Sequence, residues 1–384
     1  MRPVLKQVGW QRTPEGVEIV LDPRESVELG DSDGAVAGLL ELLARGGRTL
    51  TELAEALRST HPMVSDDEVA AAVEALDGLH LLEDETRTGG MDDDDRLRHF
   101  SNLAFLRTFS DLDRSAEEMV ARLRESHVLL LGVGGLGSNV LQNLCGLGVG
   151  HLTLVDADVV EPRNFARQFV YRASDIGRPK VERAAEWVRE FDPSIRVDVR
   201  QQLLTSTAEI AEILAWARPD AVSAGVDTPN EVDDWVNEAC VRAGVPYCRG
   251  GMYVSEAIVR SVEPGRSACR ACWRDMPDDE DALSRDRISA LHRSGVPRIN
   301  RGAGPVASLL GSLVAFELTR FLTGFREPVY AGGTGVIDLA GDCGQVIVRL
   351  ERNPDCVVCG EHALPNRIPA SGRRPVSPLS TPRR

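Results

Sequence analysis

The stretch Ser126–Lys180 constrains this chain more than any other. Val128–Leu131 is a short apolar run that predicts a buried parallel strand, and it leads straight into Gly132, Gly134, Gly135 and Gly137. A helical stretch begins near Ser138, and a second apolar run, Leu152–Val155, ends on Asp156. Strand, glycine turn, helix, strand and acid within about thirty residues is the pattern of a mononucleotide-binding βαβ unit. The glycines permit a tight turn with positive φ. They also let backbone N–H groups approach a phosphate at the helix N-terminus, where the dipole favours an anion. The acid after the second strand stands where it can accept hydrogen bonds from ribose hydroxyls. The glycines alone fit a nicotinamide or flavin site equally well.

The residues beyond that acid narrow the reading. Asp156, Asp158, Glu161, Asn164, Arg167 and Gln168 lie in LVDADVVEPRNFARQ, and Lys180 closes IGRPK. A dinucleotide does not need a dense polar loop and two cations at this point. A nucleoside triphosphate does, because its phosphates carry several negative charges. This run resembles the ThiF, or ubiquitin-activating-enzyme-like, adenylyltransferase family, which includes enzymes of thiamine and molybdopterin biosynthesis; the likeness covers roughly residues 126–360. The resemblance implies an ATP site made by Gly132, Gly134, Gly135, Gly137, Asp156, Asp158, Asn164, Arg167, Gln168 and Lys180. It gives Arg167, Lys180 and Asp227 the catalytic parts, and it implies a homodimer. In the family an arginine before the first strand reaches a partner's ATP. Here that position falls on a gap or on Asn102, with Arg98 and Arg107 the nearby cations.

The chain has 384 residues, enough for two domains. A net charge of −15 argues against a nucleic-acid partner held by counterion release. No apolar run reaches the roughly 18 residues of a membrane span, and the N-terminus carries no secretory pattern. The expectation is a cytoplasmic protein with no membrane association.

Residues 1–90 read as a small winged-helix-like α+β domain. GVEIVLDP and ESVELGD predict strands, three amphipathic helices come after them, and a short strand closes the segment. Asp33 and Thr49 or Thr51 are the expected helix caps. Its acidic surface disfavours DNA. It resembles the domains that hold an extended leader peptide as an added strand in enzymes that modify ribosomal peptides. A structural or dimerisation role stays open. Residues 91–125 predict an acidic flexible linker and an amphipathic helix, 126–364 the adenylation domain, and 365–384 a disordered tail.

Beyond Lys180, strands and helices alternate, which predicts an α/β domain with a mainly parallel, Rossmann-like sheet. DAVSAGVD is a strand that brings Asp227 to the sheet's ligand-binding edge, a place suited to Mg²⁺; a helix N-cap is the plainer role. The run from Asp227 through Pro229, Trp235 and Asn237 resembles the microcin C branch of the family, whose enzyme activates a peptide C-terminus with ATP. Two C-x₂-C pairs, Cys269/Cys272 and Cys356/Cys359, predict a closed four-thiolate structural Zn²⁺ site. Cys145 and Cys240 read as core residues, and Cys248 and Cys343 are the candidates for a thioester. In the family, 281–302 covers the acyl substrate, and the apolar helix from Pro305 is either a dimer helix or a core helix.

These residues predict an ATP-dependent adenylyltransferase acting on a carboxylate of a ribosomal precursor peptide, as in antibiotic biosynthesis. No general base is needed, since a carboxylate is already ionised at neutral pH. A Gly-Gly-ended ubiquitin-fold sulfur carrier is the alternative substrate. A non-catalytic peptide-presenting partner is the alternative class.

Overall fold

The computed structural model describes residues 1–22, 24–274, 300 and 302–360. All of the expected substrate cover, 281–302, except residues 300 and 302, and the tail, 365–384, lie outside the described residues. The chain divides into two compact units, Met1–Arg122 and Leu123–Arg384.

The first unit contains β1 (Pro3–Leu5), β2 (Gly9–Thr13), β3 (Gly16–Asp22), β4 (Glu25–Gly30), α1 (Ala35–Arg45), α2 (Leu50–Arg58), α3 (Asp66–Gly78) and β5 (Leu82–Asp84). Strands β2, β3 and β4 form an antiparallel sheet, and β1 pairs with β5 across the helices between them. Its core gathers Ile19, Leu40, Leu43, Leu53, Val73 and Leu81. Thr49 caps α2 and Ser65 caps α3, each in a capping box with a glutamate three residues on. Asp33 is not the cap of α1. Gly34 occupies that position, and the Asp31 carboxylate takes the Val36 and Ala37 N–H groups at 3.0 Å.

The acidic stretch read as a flexible joint is ordered into α4 (Asp93–Arg98), because Asp92 caps it and three aspartates complement its dipole. Helix α5 (Phe100–Arg107) comes next, then α6 (Ala116–Glu125). Arg107 ion-pairs with Glu83 at 2.7 Å and Glu117 at 3.1 Å, so it serves this unit's own packing. Asn102 bonds to His99 at 3.2 Å.

The second unit is built on β6 (His127–Leu131), α7 (Gly135–Leu147), β7 (His151–Val155), α8 (Lys180–Phe191), β8 (Arg196–Arg200), α9 (Thr207–Ala217), β9 (Ala221–Ala224), α10 (Val232–Ala243), β10 (Tyr247–Tyr253), β11 (Glu256–Val262), α11 (Arg270–Arg274), α12 (Gly304–Thr323), β12 (Gly333–Asp338) and β13 (Gln345–Arg349). They make one eight-stranded sheet in the order β13-β12-β11-β10-β9-β6-β7-β8. From β8 to β10 all neighbours are parallel, and β10 to β13 are antiparallel. The sheet is therefore mostly parallel, as expected, with an antiparallel extension that contains β11, which no sequence signal marked. All five residues of β6 are buried, which is why that strand reads as a continuous apolar run.

Strand order reverses between β7 and β9 on either side of β6, so ligands belong at the C-terminal end of β6. Helix α12 is long and apolar enough, by length and composition, to cross a membrane. It instead packs as a core helix: Leu310, Val314, Leu318 and Leu322 bury against the sheet. Glu317, fully buried, accepts hydrogen bonds from Ser261, Val329 N and Tyr330 N and pairs with Arg320 at 3.0 Å.

Candidate functional site

The turn after β6 begins at Gly132, whose φ of 92° favours glycine. A side chain at Gly137 would meet the Gly132 carbonyl oxygen at 1.9 Å, backbone against backbone, so nothing can yield. The Gly132 N–H donates to Val155 O at 2.7 Å, and Val133 N donates to Asp156 Oδ2 at 2.8 Å. The acid after β7 thus braces the turn after β6. Asp156 Oδ1 also accepts from Asp158 N at 2.8 Å. Burial raises the Asp156 carboxyl above its usual range, and Lys180 beside it pulls the other way.

Lys180, at the first position of α8, is buried, and its ammonium donates to Asp158 Oδ2 at 2.7 Å. Its backbone N–H also bonds to Asp158 O at 2.9 Å. Asn164 is buried and accepts from Glu161 N at 2.9 Å, shaping the polar loop rather than pointing away from it. That loop returns Arg167 and Gln168 to the glycines. The Arg167 guanidine lies 2.9 Å from where a Gly135 Cβ would stand, and Gln168 Nε2 lies 3.8 Å from that of Gly134. Arg167 Nε and Gln168 Oε1 are buried without a hydrogen-bond partner. Buried polar atoms of this kind call for a ligand or water. Phosphate oxygens over the glycine turn fit the Arg167 guanidinium, whereas Gln168 Oε1, an acceptor, calls for a hydroxyl, an N–H or a water.

Asp227 is exposed, three residues beyond β9. Its loop adjoins the glycine turn: Gly225 N donates to Leu131 O at 2.7 Å, and Val226 lies 3.2 Å from a Gly132 Cβ. The N-cap of α10 is Glu231, so Asp227 does not cap that helix. The structure therefore brings the glycines, Asp156, Asp158, Arg167, Gln168, Lys180 and the Asp227 loop to the end of β6.

Two supporting residues escaped the sequence reading. Asn139 on α7 donates to Gly135 O at 2.7 Å and Arg167 O at 3.0 Å, and Ser308 of α12 donates to Asn139 Oδ1 at 3.1 Å. Tyr171 OH donates to Val133 O at 2.7 Å. Each ties the polar loop to the turn through a backbone carbonyl, for which no residue pattern exists.

Cys269, Cys272, Cys356 and Cys359 are all buried, with their sulfurs within 4.8 Å of one another and none in a disulfide. A tetrahedral Zn–S bond of about 2.3 Å requires sulfurs roughly 3.8 Å apart. The Cys269–Cys356 and Cys272–Cys359 pairs stand at 3.7 and 3.3 Å. Val358 N approaches Cys356 Sγ at 3.5 Å and Asn237 Nδ2 approaches Cys269 Sγ at 3.8 Å, contacts that suit thiolates. With all four positions taken by protein, a metal here is structural. Cys145 and Cys240 are core residues. Burial pushes the Cys248 thiol well up, which disfavours a nucleophile there. Cys343 is exposed in the turn between β12 and β13.

The protein-family model described as the ThiF family matches residues 106–358. The chain belongs to the ThiF family. It is 32% identical to the molybdopterin-synthase adenylyltransferase of Escherichia coli over 62% of this chain and 89% of that one. To the sulfur carrier protein adenylyltransferase of Thermus thermophilus it is 31% identical, over 66% of this chain and 93% of that one. The fold is similar to that of E. coli MccB, with a TM-score of 0.76 at 19% identity over 95% of this chain and 99% of MccB. MccB, a microcin C7 biosynthetic enzyme, has been solved with ATP and with N-formylated MccA.

Proposed function

We propose that this protein, an ATP-dependent adenylyltransferase, activates a carboxylate of a ribosomally synthesised peptide, forming an acyl adenylate in peptide natural-product biosynthesis. One observation carries the choice of substrate class. The likeness to MccB runs through 95% of the chain, the first unit included, whereas the sulfur-carrier relatives align over 62–66% of it. The first unit is the proposed peptide clamp, because an extended segment can add to an open sheet edge. Strands β2 and β4 are the outer strands of their sheet among the described residues.

ATP, when bound, would supply the α-phosphorus that a carboxylate attacks, so that the adenylyl group is transferred and pyrophosphate leaves. The chain's residues position and neutralise. The backbone N–H groups of Gly134 to Gly137, at the start of α7, and the Arg167 guanidinium are the proposed phosphate donors, and Asp156 is the proposed acceptor for ribose hydroxyls. Lys180, freed from Asp158, adds a second cation as charge develops. Asp227 is the proposed Mg²⁺ ligand, and Zn²⁺ the proposed metal of the four cysteines. A homodimer completes the reading, by family likeness.

The sequence identity to sulfur-carrier enzymes keeps a second reading, activation of a Gly-Gly-ended carrier protein. ATP–pyrophosphate exchange with the purified protein decides between them. Precursor peptides encoded beside its gene should drive exchange, and a leader fragment lacking the C-terminal residues should inhibit it. Exchange only with a Gly-Gly carrier would overturn the peptide assignment. Peptide binding without any exchange would overturn the enzymatic one.

A further inference from the structure

The loop that carries Asp227 runs from Gly225 to Glu231, between the end of β9 and the start of α10. One guanidinium closes it. Arg249 stands on β10, in parallel register with Ala224, the last residue of β9. Its Nη1 donates to Val226 O at 2.7 Å, at the near end of the loop. The same group ion-pairs with Asp233, in the first turn of α10 just beyond the far end. Arg249 therefore ties the two ends of the loop to each other and to the sheet. A second cation holds the same helix start: Arg270 Nη1 lies 3.7 Å from Asp233, and its Nε donates to Asp234 at 2.8 Å. Arg270 N donates to Asn237 Oδ1 at 2.9 Å, one turn further along α10.

The other side of the loop rests on the glycine turn. Gly225 N donates to Leu131 O, and Val226 Cγ1 stands 3.2 Å from where a Gly132 Cβ would be. The residue before Asp227 is thus fixed twice, by its side chain on the turn and by its carbonyl on Arg249. A backbone pinned there narrows the positions open to the next side chain.

We propose that Arg249 is a positioning residue for adenylation: by clamping the ends of the 225–231 loop it preorganises the Asp227 carboxylate for the cation that accompanies the ATP phosphates. This rests on the Mg²⁺ reading of Asp227 above. A carboxylate on a loose loop loses conformational entropy when it takes up a cation, and one on a clamped loop has lost it already. Mg²⁺ demands near-ideal octahedral geometry, which makes it sensitive to where a ligand stands.

Two readouts test this in the full-length protein. Hydrogen exchange without ligand reports the loop, and ATP titrated calorimetrically in EDTA and at rising Mg²⁺ reports the metal. Arg249→Gln should speed exchange of the 226–232 amides about tenfold or more while β6 and β7 keep their protection. It should also remove about tenfold of the affinity that Mg²⁺ adds for ATP, and leave affinity in EDTA unmoved, which a general loss of structure would not do. Arg249→Lys keeps the charge without the fork and should fall between. Asp233→Asn, which weakens only the far anchor, should shift both readouts the same way by less. Unchanged loop exchange in Arg249→Gln, or an Mg²⁺ effect reduced by Asp227→Asn but not by Arg249→Gln, overturns the positioning role alone. An Mg²⁺ effect that Asp227→Asn leaves intact overturns the Mg²⁺ reading of Asp227. No binding of ATP to the wild type overturns the adenylation reading, and this proposal with it.

Discussion

Lys180 and Asp227 approach the glycine turn from different directions. Lys180 comes from the start of α8 through Asp158, and Asp227 comes from the loop beyond β9. If both serve charge that develops as pyrophosphate leaves, Lys180→Ala and Asp227→Ala should each lower peptide-dependent pyrophosphate exchange by about 10²–10³. Unchanged turnover in either variant would remove that residue from the site. Gly137→Ala tests the turn itself. Its methyl group would meet the Gly132 carbonyl at 1.9 Å, so the turn must open. ATP affinity should fall sharply in that variant while the far-ultraviolet circular dichroism stays native. His127 behaves differently. It is buried, stacked on His151 at 3.5 Å, and bonded to Thr153 at 2.8 Å. Burial, and then His151, lower its pKa from 6.5 to about 4. Between those values the unfolded chain takes up a proton that the folded chain refuses, so stability is full above pH 6.5 and declines as pH falls toward 4. Urea unfolding across this range should show the decline, and His127→Gln should flatten it.

Among the elements, α12 shows how a charge can be part of a core. Glu317 offers its carboxylate to the Val329 and Tyr330 N–H groups and to Ser261, joining the helix to β11 and to the segment entering β12. Removing it leaves three buried donors and Arg320 without their acceptor. Glu317→Ala should therefore cost about 3–5 kcal/mol of unfolding free energy, read by denaturant melts. Most elements were legible in the sequence. Strands β6, β7 and β9 declared themselves as apolar runs, and Thr49 announced the start of α2, whereas the Ser65 capping box of α3 went unread. Strand β11 did not, because EAIVRSV interrupts its apolar residues with Arg260, a charge that faces a cavity rather than solvent. Helix α4 was hidden for the opposite reason. A run of aspartates reads as a solvated joint unless one of them is known to cap a helix.

For the whole molecule, the four cysteines tie the start of α11 to the segment after β13, two stretches that are remote in sequence. If Zn²⁺ holds them, elemental analysis should find one ion per chain. Strong chelation should lower the unfolding temperature and release hydrogen-exchange protection around Cys356–Gly360, while β6 and β7 keep theirs. Protection that is indifferent to chelation would argue against a metal. The amino-acid sequence by itself determined the glycine turn, the acid beyond it, the polar loop that follows and the two cysteine pairs. In each of these, local spacing along the chain is already the chemistry. Only the tertiary structure decided that Gly225 packs on the turn, that Asn139 and Tyr171 brace it, and that Arg249 and Arg260 stand opposite each other beside it. Those contacts come from sheet order and strand register, which depend on residues far apart in the chain, so no short stretch of sequence carries them.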